Sequence, residues 1–193
     1  MPQTDEMYID RRVNEYVRRE YWSGAHCMEL RVPWFTPDAI RFFGYKRVFS
    51  FLKTARVLEL GAGGSTLFFS DFCESVFSIE TNVEWAGKVI QTVPKNAAVV
   101  CCQSWADVQN TIRNIPGQFD IALIDGDPAM YPRGEAADLV LPMMKPKAIF
   151  ITDNYYLEGS MVKAFQVPSD WSHEEFNDKH WHGCGTRIST RGF

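Results

Sequence analysis

Val57-Leu58-Glu59-Leu60-Gly61-Ala62-Gly63-Gly64-Ser65-Thr66 is the stretch whose reading decides the fold. An apolar run closes on Glu59 and Leu60, three glycines follow, and two hydroxyl residues come next. That is the signature of a buried strand turning sharply into a helix. Glycines let the backbone approach a ligand closely and leave helix N–H groups free to meet an anion. Ser65 is a good N-cap candidate. The spacing is GxGG, and Thr66 stands where a dinucleotide fingerprint carries its third glycine, which argues against a nicotinamide cofactor.

The same texture continues outward. Short apolar runs recur at 56–60, 76–80, 97–101, 119–124 and 148–152. Each reads as a strand covered on both faces. Amphipathic stretches at 65–72, 83–92, 105–115 and 134–144 separate them. Strand alternating with helix means right-handed parallel βαβ units. The expectation is an α/β fold: a Rossmann-like, doubly wound, mostly parallel sheet with helices on both faces. After residue 152 a short helix is expected near 158–165, and segments 172–177 and 185–190 read as a closing strand pair. Before the sheet, residues 5–20 read as a helix, with Ile9, Val13, Tyr16 and Val17 on one face. Arg11, Arg12, Arg18 and Arg19 then fall on a solvated face. Residues 22–36, with Trp22, Pro33, Trp34 and Phe35, read as an aromatic covering loop, and 37–53 as a second helix with Pro37 in its first turn. The 193 residues suit a single domain, 1–53 forming a helical and aromatic cap and 54–193 the core.

Composition narrows the function. The formal net charge is −4, which disfavours a general nucleic-acid binder. No apolar run is long enough to span a bilayer, and the N-terminus lacks an apolar signal segment. The five cysteines (27, 73, 101, 102 and 184) are odd in number and form no CxxC pair, so reduced buried thiols and a cytoplasmic chain are expected. His173, His180, His182 and Cys184 fit no structural zinc spacing.

Ligands in open α/β sheets bind beyond the carboxyl ends of the strands. Glu80 ends the second run about 20 residues past the glycine turn, where an acid accepts hydrogen bonds from ribose hydroxyls. Asp125 ends the fourth run, and Asp153 with Asn154 ends the fifth. If those strands are neighbours, two carboxylates and an amide oxygen converge into a hard site suited to Mg²⁺ or Ca²⁺.

ELGAGGSTLFFS, VFSIETN, FDIALIDGD and AIFITDN, in that order over about residues 55–155, resemble the class I S-adenosylmethionine-dependent methyltransferases. EWAGKV and DGDPAMYPRG resemble the small-molecule branch related to catechol and caffeoyl-CoA O-methyltransferases. The resemblance implies an enzyme that methylates a small-molecule hydroxyl with S-adenosylmethionine. It places the methionine part of the cofactor on Glu59, Gly61, Ala62 and Gly63, with Ser65 and Thr66 nearby. Glu80, with Thr81 beside it, takes the ribose; Ser104 and Trp105 take the adenine. In the metal-dependent members an Asp and an Asp-Asn pair hold the ion, which implies Mg²⁺ on Asp125, Asp153 and Asn154. A catalytic lysine follows three residues after the first Asp in that branch. This chain has Pro128, so Asp127 or the metal alone is left to assist, with Asp125 also catalytic. Tyr131 and Arg133 face either the acceptor or solvent. No DPPY or NPPY run for adenine methylation is present. The rival expectations are a metal-free methyltransferase acting on a sugar or natural-product hydroxyl and a non-catalytic S-adenosylmethionine-binding protein. A homodimer is compatible with all of them.

Overall fold

In the computed structural model, residues 5–18, 23–130, 132–154, 168–177 and 185–193 are described. Five strands alternate with helices through the middle of the chain: β1 Arg56–Leu60, β2 Ser75–Glu80, β3 Ala97–Cys101, β4 Phe119–Ile124 and β5 Met144–Thr152. Two more, β6 Ser172–Phe176 and β7 Thr186–Arg191, follow. They join one sheet in the order β3-β2-β1-β4-β5-β7-β6. β1 through β5 pair in parallel, and β7 returns antiparallel to both β5 and β6. The expected Rossmann-like, mostly parallel sheet with a closing strand pair is therefore present. The order reverses between β1 and β4, the position at which open α/β sheets bind their ligands.

Alternation along the strands feeds two cores. Val57, Ile121, Leu123, Ile149 and Ile151 pack on one face, and Leu58, Leu60, Ala122, Ile124 and Phe150 on the other. Helices α1 Asp5–Val17, α3 Pro37–Phe42, α4 Lys46–Leu52 and α5 Gly64–Phe72 supply the first core with Ile9, Val13, Ile40, Leu52, Phe68 and Phe69. Helices α7 Trp105–Asn114 and α8 Arg133–Val140 supply the second with Val108, Ile112, Ala136 and Val140. Each such large apolar side chain contributes ~1.5–3 kcal/mol on burial. Strand β3, at the sheet edge, is only half-buried, so it is not covered on both faces as its apolar run suggested.

Several boundaries differ from the sequence reading for local reasons. The covering segment holds a helix, α2 Gly24–Leu30, started by Ser23, whose hydroxyl accepts from the His26 N–H. It stops where Arg31 turns left-handed at φ 54°. The single helix expected over 37–53 is two helices, broken at Phe43–Tyr45 around Gly44. The helix expected over 134–144 ends at Val140, because Pro142 forces a short 3₁₀ turn, Leu141–Met143, and β5 starts directly after it. Arg12 leaves the solvated face assigned to it. It is buried, and it bonds to the Arg31 carbonyl and the Asp71 carboxylate. Val17 is exposed instead. Trp22, Arg19, Tyr131, His180, His182, Cys184 and the helix expected near 158–165 lie outside the described residues. Among the described residues no helix is long and apolar enough to cross a membrane.

Candidate active site

Strand register brings the candidate residues level. Leu60 pairs with Ile79 on one side and Ile124 on the other, and Ile124 pairs with Thr152. The ladder runs on past the strand ends, where Asp125 N–H donates to the Leu60 carbonyl at 2.9 Å and Gly61 N–H to that of Ile79 at 2.8 Å. Gly61, Glu80, Asp125 and Asp153 therefore stand in one row at the carboxyl edge. Gly61 has φ +96°, and a Cβ there would lie 2.8 Å from the Gly126 nitrogen. Only glycine lets the turn after β1 touch the loop after β4.

Glu80 holds this turn. Its carboxylate accepts from the Ala62 N–H at 2.9 Å, and from the Thr81 and Asn82 N–H groups at 2.7 and 2.8 Å. Helix α6 Val83–Ile90 then opens under an Asn82 cap, which takes the Trp85 N–H. Trp85 donates its indole Nε1–H back to the Ala62 carbonyl at 2.6 Å.

Glu59 lies beneath the turn, wholly buried. It accepts hydrogen bonds from the hydroxyls of Ser65, Thr66 and Ser78. Thr66 in turn accepts the Gly63 N–H at 2.9 Å. Burial pushes the Glu59 carboxyl up to about 7, and the three hydroxyl donors oppose that rise. This acid organises the turn from below and does not border the cavity.

The second cluster joins β4, β5 and β7. Thr186 donates to Asp153 at 2.6 Å and accepts the Thr36 N–H at 3.3 Å. The Asn154 amide donates to Asp153 and, at 3.5 Å, to Asp125. Both carboxyls are raised above the usual range. For Asp125 the main cause is burial, opposed by Arg133; for Asp153 it is burial reinforced by Asp125. Arg133 is buried under the pair, 3.7 Å from the Asp125 carboxylate. Its remaining donors go to the carbonyls of Gly126, Asp153 and Asp125 at 2.7, 2.8 and 3.0 Å. It is therefore turned away from solvent, with its donors on main-chain carbonyls. The donor set suits a hard divalent cation in type: two carboxylates still short of positive charge, and an amide that offers oxygen after a half-turn.

A cavity of about 320 Å³ opens over the row. Gly61, Ala62, Gly63, Gly64 and Ser65 line it with Glu80, Trp85 and Asp125–Asp127; Gly24, Cys27 and Trp34 close it from the N-terminal side. Gly61, Ala62, Gly63, Ser65, Glu80, Asp125 and Asp127 are thus brought together. Glu59 and Thr66 sit below, and Thr81 is buried beside Glu80. Asp153 and Asn154 adjoin Asp125 outside the lining. Ser104 and Trp105 do not border this cavity; Ser104 caps α7 by accepting the Asp107 N–H at 3.2 Å. Asp127, exposed at the rim, accepts the Ala129 N–H at 2.9 Å. His173 is exposed on the edge strand β6.

The sequence reading missed Gly24, Cys27, Trp85 and Thr186, and it left Arg133 undecided. Burial raises the Cys27 thiol to about 12, so it remains protonated. Arg133 did carry a signal: a cation in a helix's first turn opposes the dipole and needs a compensating partner.

A family model described as a methyltransferase domain matches residues 58–155. No curated protein matches the chain. Among solved structures, an O-methyltransferase from Bacillus cereus in complex with SAH is similar at 15% identity and TM-score 0.61, over 99% of this chain and 91% of that one. The O-methyltransferase TomG from Streptomyces achromogenes, involved in tomaymycin synthesis and solved with SAM, gives 16%, 0.60 and 99% of both chains. An rRNA methylase from Streptococcus thermophilus gives 14% and 0.58 over 75% of this chain and 93% of that one. At these identities the likeness is one of fold.

Proposed function

Since this chain belongs to the class I S-adenosylmethionine-dependent methyltransferases, we propose that it methylates a hydroxyl oxygen of a small molecule held above Asp125 and Asp153, with residues 1–53 as its cap. One observation carries this reading: the glycine turn, Glu80 and Asp125 border a single cavity at the point where strand order reverses. The cofactor supplies an electrophilic methyl group on a sulfonium. Gly61–Gly63 and Ser65 take its methionine end, and Glu80, already ordered by three backbone N–H groups, takes the ribose hydroxyls. Cys27 and Trp34 exclude water on the acceptor side, so donor and acceptor meet in line.

The acceptor must lose a proton. In a metal-free reaction Asp125, which borders the cavity and whose carboxyl is raised by burial, is suited to receive it at a carboxylate oxygen. Mg²⁺ held by Asp125, Asp153 and Asn154 would lower the pKa of the acceptor hydroxyl. The neighbours named as O-methyltransferases support oxygen as the atom methylated. The acids at the cavity rim support a small acceptor over a nucleic acid. The free thiols of Cys27, Cys73, Cys101 and Cys102 suit the reducing cytoplasm. A second reading, transfer without a metal, is favoured by the 3.7 Å approach of Arg133 to Asp125, which already places one positive charge there.

Calorimetric titration with S-adenosylmethionine, with NADH as control, tests the cofactor. An acceptor screen of polyhydroxy aromatics with Mg²⁺ or EDTA tests the rest. Binding of S-adenosylmethionine alone, and turnover lost in EDTA and in Asp153→Ala, are expected. Turnover indifferent to EDTA selects the metal-free reading, and absence of binding overturns both.

A further inference from the structure

Trp85 has no role in the reading above, yet it touches both the glycine turn and the cap. Its indole N–H holds the Ala62 carbonyl at 2.6 Å, while Glu80 holds the N–H of the same residue at 2.9 Å. The Gly63 N–H, at the opposite edge of the same peptide, is taken by Thr66 at 2.9 Å. Both ends of that peptide are therefore fixed, and the first turn of α5 is left facing the cavity. The ring also supports the cap. A Cβ on Gly24 would stand 3.0 Å from Cη2 of Trp85, and one on Gly63 3.6 Å from its Cζ2. The start of α2 thus rests on the indole, and the indole rests on the turn. A glycine at 24 is what allows this approach.

We propose that Trp85 is a positioning residue for the cofactor: it fixes the Ala62–Gly63 peptide of the glycine turn and seats the first turn of α2 over the occupied cavity. The inference rests on the cavity being the cofactor site. Trp85 does its work through the backbone, and the indole N–H and the ring have separable parts. The N–H sets the turn, and the ring couples it to the cap. Ligand that orders the turn should therefore quiet α2 as well.

The test uses S-adenosylhomocysteine, calorimetry and hydrogen exchange on the full chain. In the wild type the ligand should bind and slow amide exchange in residues 24–30. Trp85→Phe keeps a ring and loses the donor, so its Kd should rise about fivefold to tenfold, the worth of one hydrogen bond, with the slowing at saturation retained. Trp85→Leu should weaken binding further and lose the slowing. Gly24→Val, which displaces the ring without removing the donor, should lose the slowing too, and it carries the test if Trp85→Leu fails to fold. Variants binding within about twofold of wild type overturn the proposal, as does slowing that persists in Trp85→Leu or Gly24→Val. A wild-type chain that does not bind overturns the cofactor assignment of the cavity instead.

Discussion

Arg133 meets Asp125 twice: Nη2 donates to its main-chain carbonyl at 3.0 Å and stands 3.7 Å from its carboxylate. The same guanidinium reaches the carbonyls of Gly126 and Asp153, so one buried side chain ties the loop after β4 to the end of β5. Arg133→Met would leave three carbonyls and a half-buried carboxylate without their cation. A stability loss of ~3–5 kcal/mol is expected by urea unfolding, as for other buried pairs broken on one side. Arg133→Lys keeps the charge but not the planar fork, and should fall between. A loss under ~1 kcal/mol for Arg133→Met would mean that the strand ends hold themselves.

Glu59 should make stability depend on pH in a definite direction. Its carboxyl, ordinarily near 4.5, lies at about 7 in the fold. Between those values the folded chain retains a proton that the unfolded chain has released, so stability falls as pH rises through the window. At 1.36 kcal/mol per unit the fall is at most ~3 kcal/mol. Asp125 and Asp153, also raised, add slope of the same sign, and Glu59→Gln shares most of it because Asp125 is the last and smallest of the causes acting on Glu59. The difference between wild type and Glu59→Gln, measured by denaturant unfolding at pH 5 and pH 8, should move in the variant's favour at the higher pH. A flat difference would show that the hydroxyls of Ser65, Thr66 and Ser78 fully offset burial.

How far the fold was legible follows from which forces leave a mark on the sequence. Strands β1, β3 and β4 match their apolar runs because both-face burial or pairing in the sheet selects apolar residues continuously. Strand β5 begins four residues before its apolar run, at Met144, because Lys145-Pro146-Lys147 extends the strand on a half-buried lysine and two exposed residues that break the apolar run. Helix α2 is too short for periodicity to register, and its one local signal, the Ser23 cap, went unread. Asp125 and Asp153 were legible because their strands end on them, and the strands proved to be neighbours. Trp85 and Thr186 were not, and Arg133 showed only as a cation at a helix start. Each acts on a backbone carbonyl, a backbone N–H or a carboxylate distant in sequence, and such contacts leave no periodic trace.

Two glycines should respond to alanine in opposite ways. At Gly61, with φ +96°, alanine meets a backbone penalty of ~1–2 kcal/mol and a Cβ 2.8 Å from the Gly126 nitrogen. Thermal stability should drop, and affinity for S-adenosylhomocysteine should fall by about a hundredfold or more, because the turn must move away from the loop after β4. At Gly87, inside α6, an added Cβ meets nothing within 4 Å. Gly87→Ala should raise stability by ~0.5–1 kcal/mol with binding unchanged. Calorimetry and thermal melts of both variants decide it, and a Gly61→Ala chain that binds normally would remove the close approach from the argument.

Asp71 fastens the cap to the core. It sits in the last turn of α5, the helix that starts at the glycine turn, and accepts from Arg12 of α1 and from Arg31 at the end of α2, each at 2.8 Å. Arg12 also donates to the Arg31 carbonyl at 3.0 Å, so the two cap helices are joined to each other as well. Asp71→Ala leaves two guanidinium groups facing each other without their anion. The expected loss is ~1.5–3 kcal/mol, the range for hydrogen bonds to charged groups. The Asp71 side chain retains 22% of its exposure and Arg31 32%, so salt should screen part of the interaction. The gap in melting temperature between wild type and Asp71→Ala should therefore narrow between low salt and about 0.5 M salt. Limited proteolysis should cut the variant first within residues 5–31, because these helices lose their tie to α5 while the sheet keeps its own packing. First cleavage inside the sheet would show that Asp71 supports the core and not the cap.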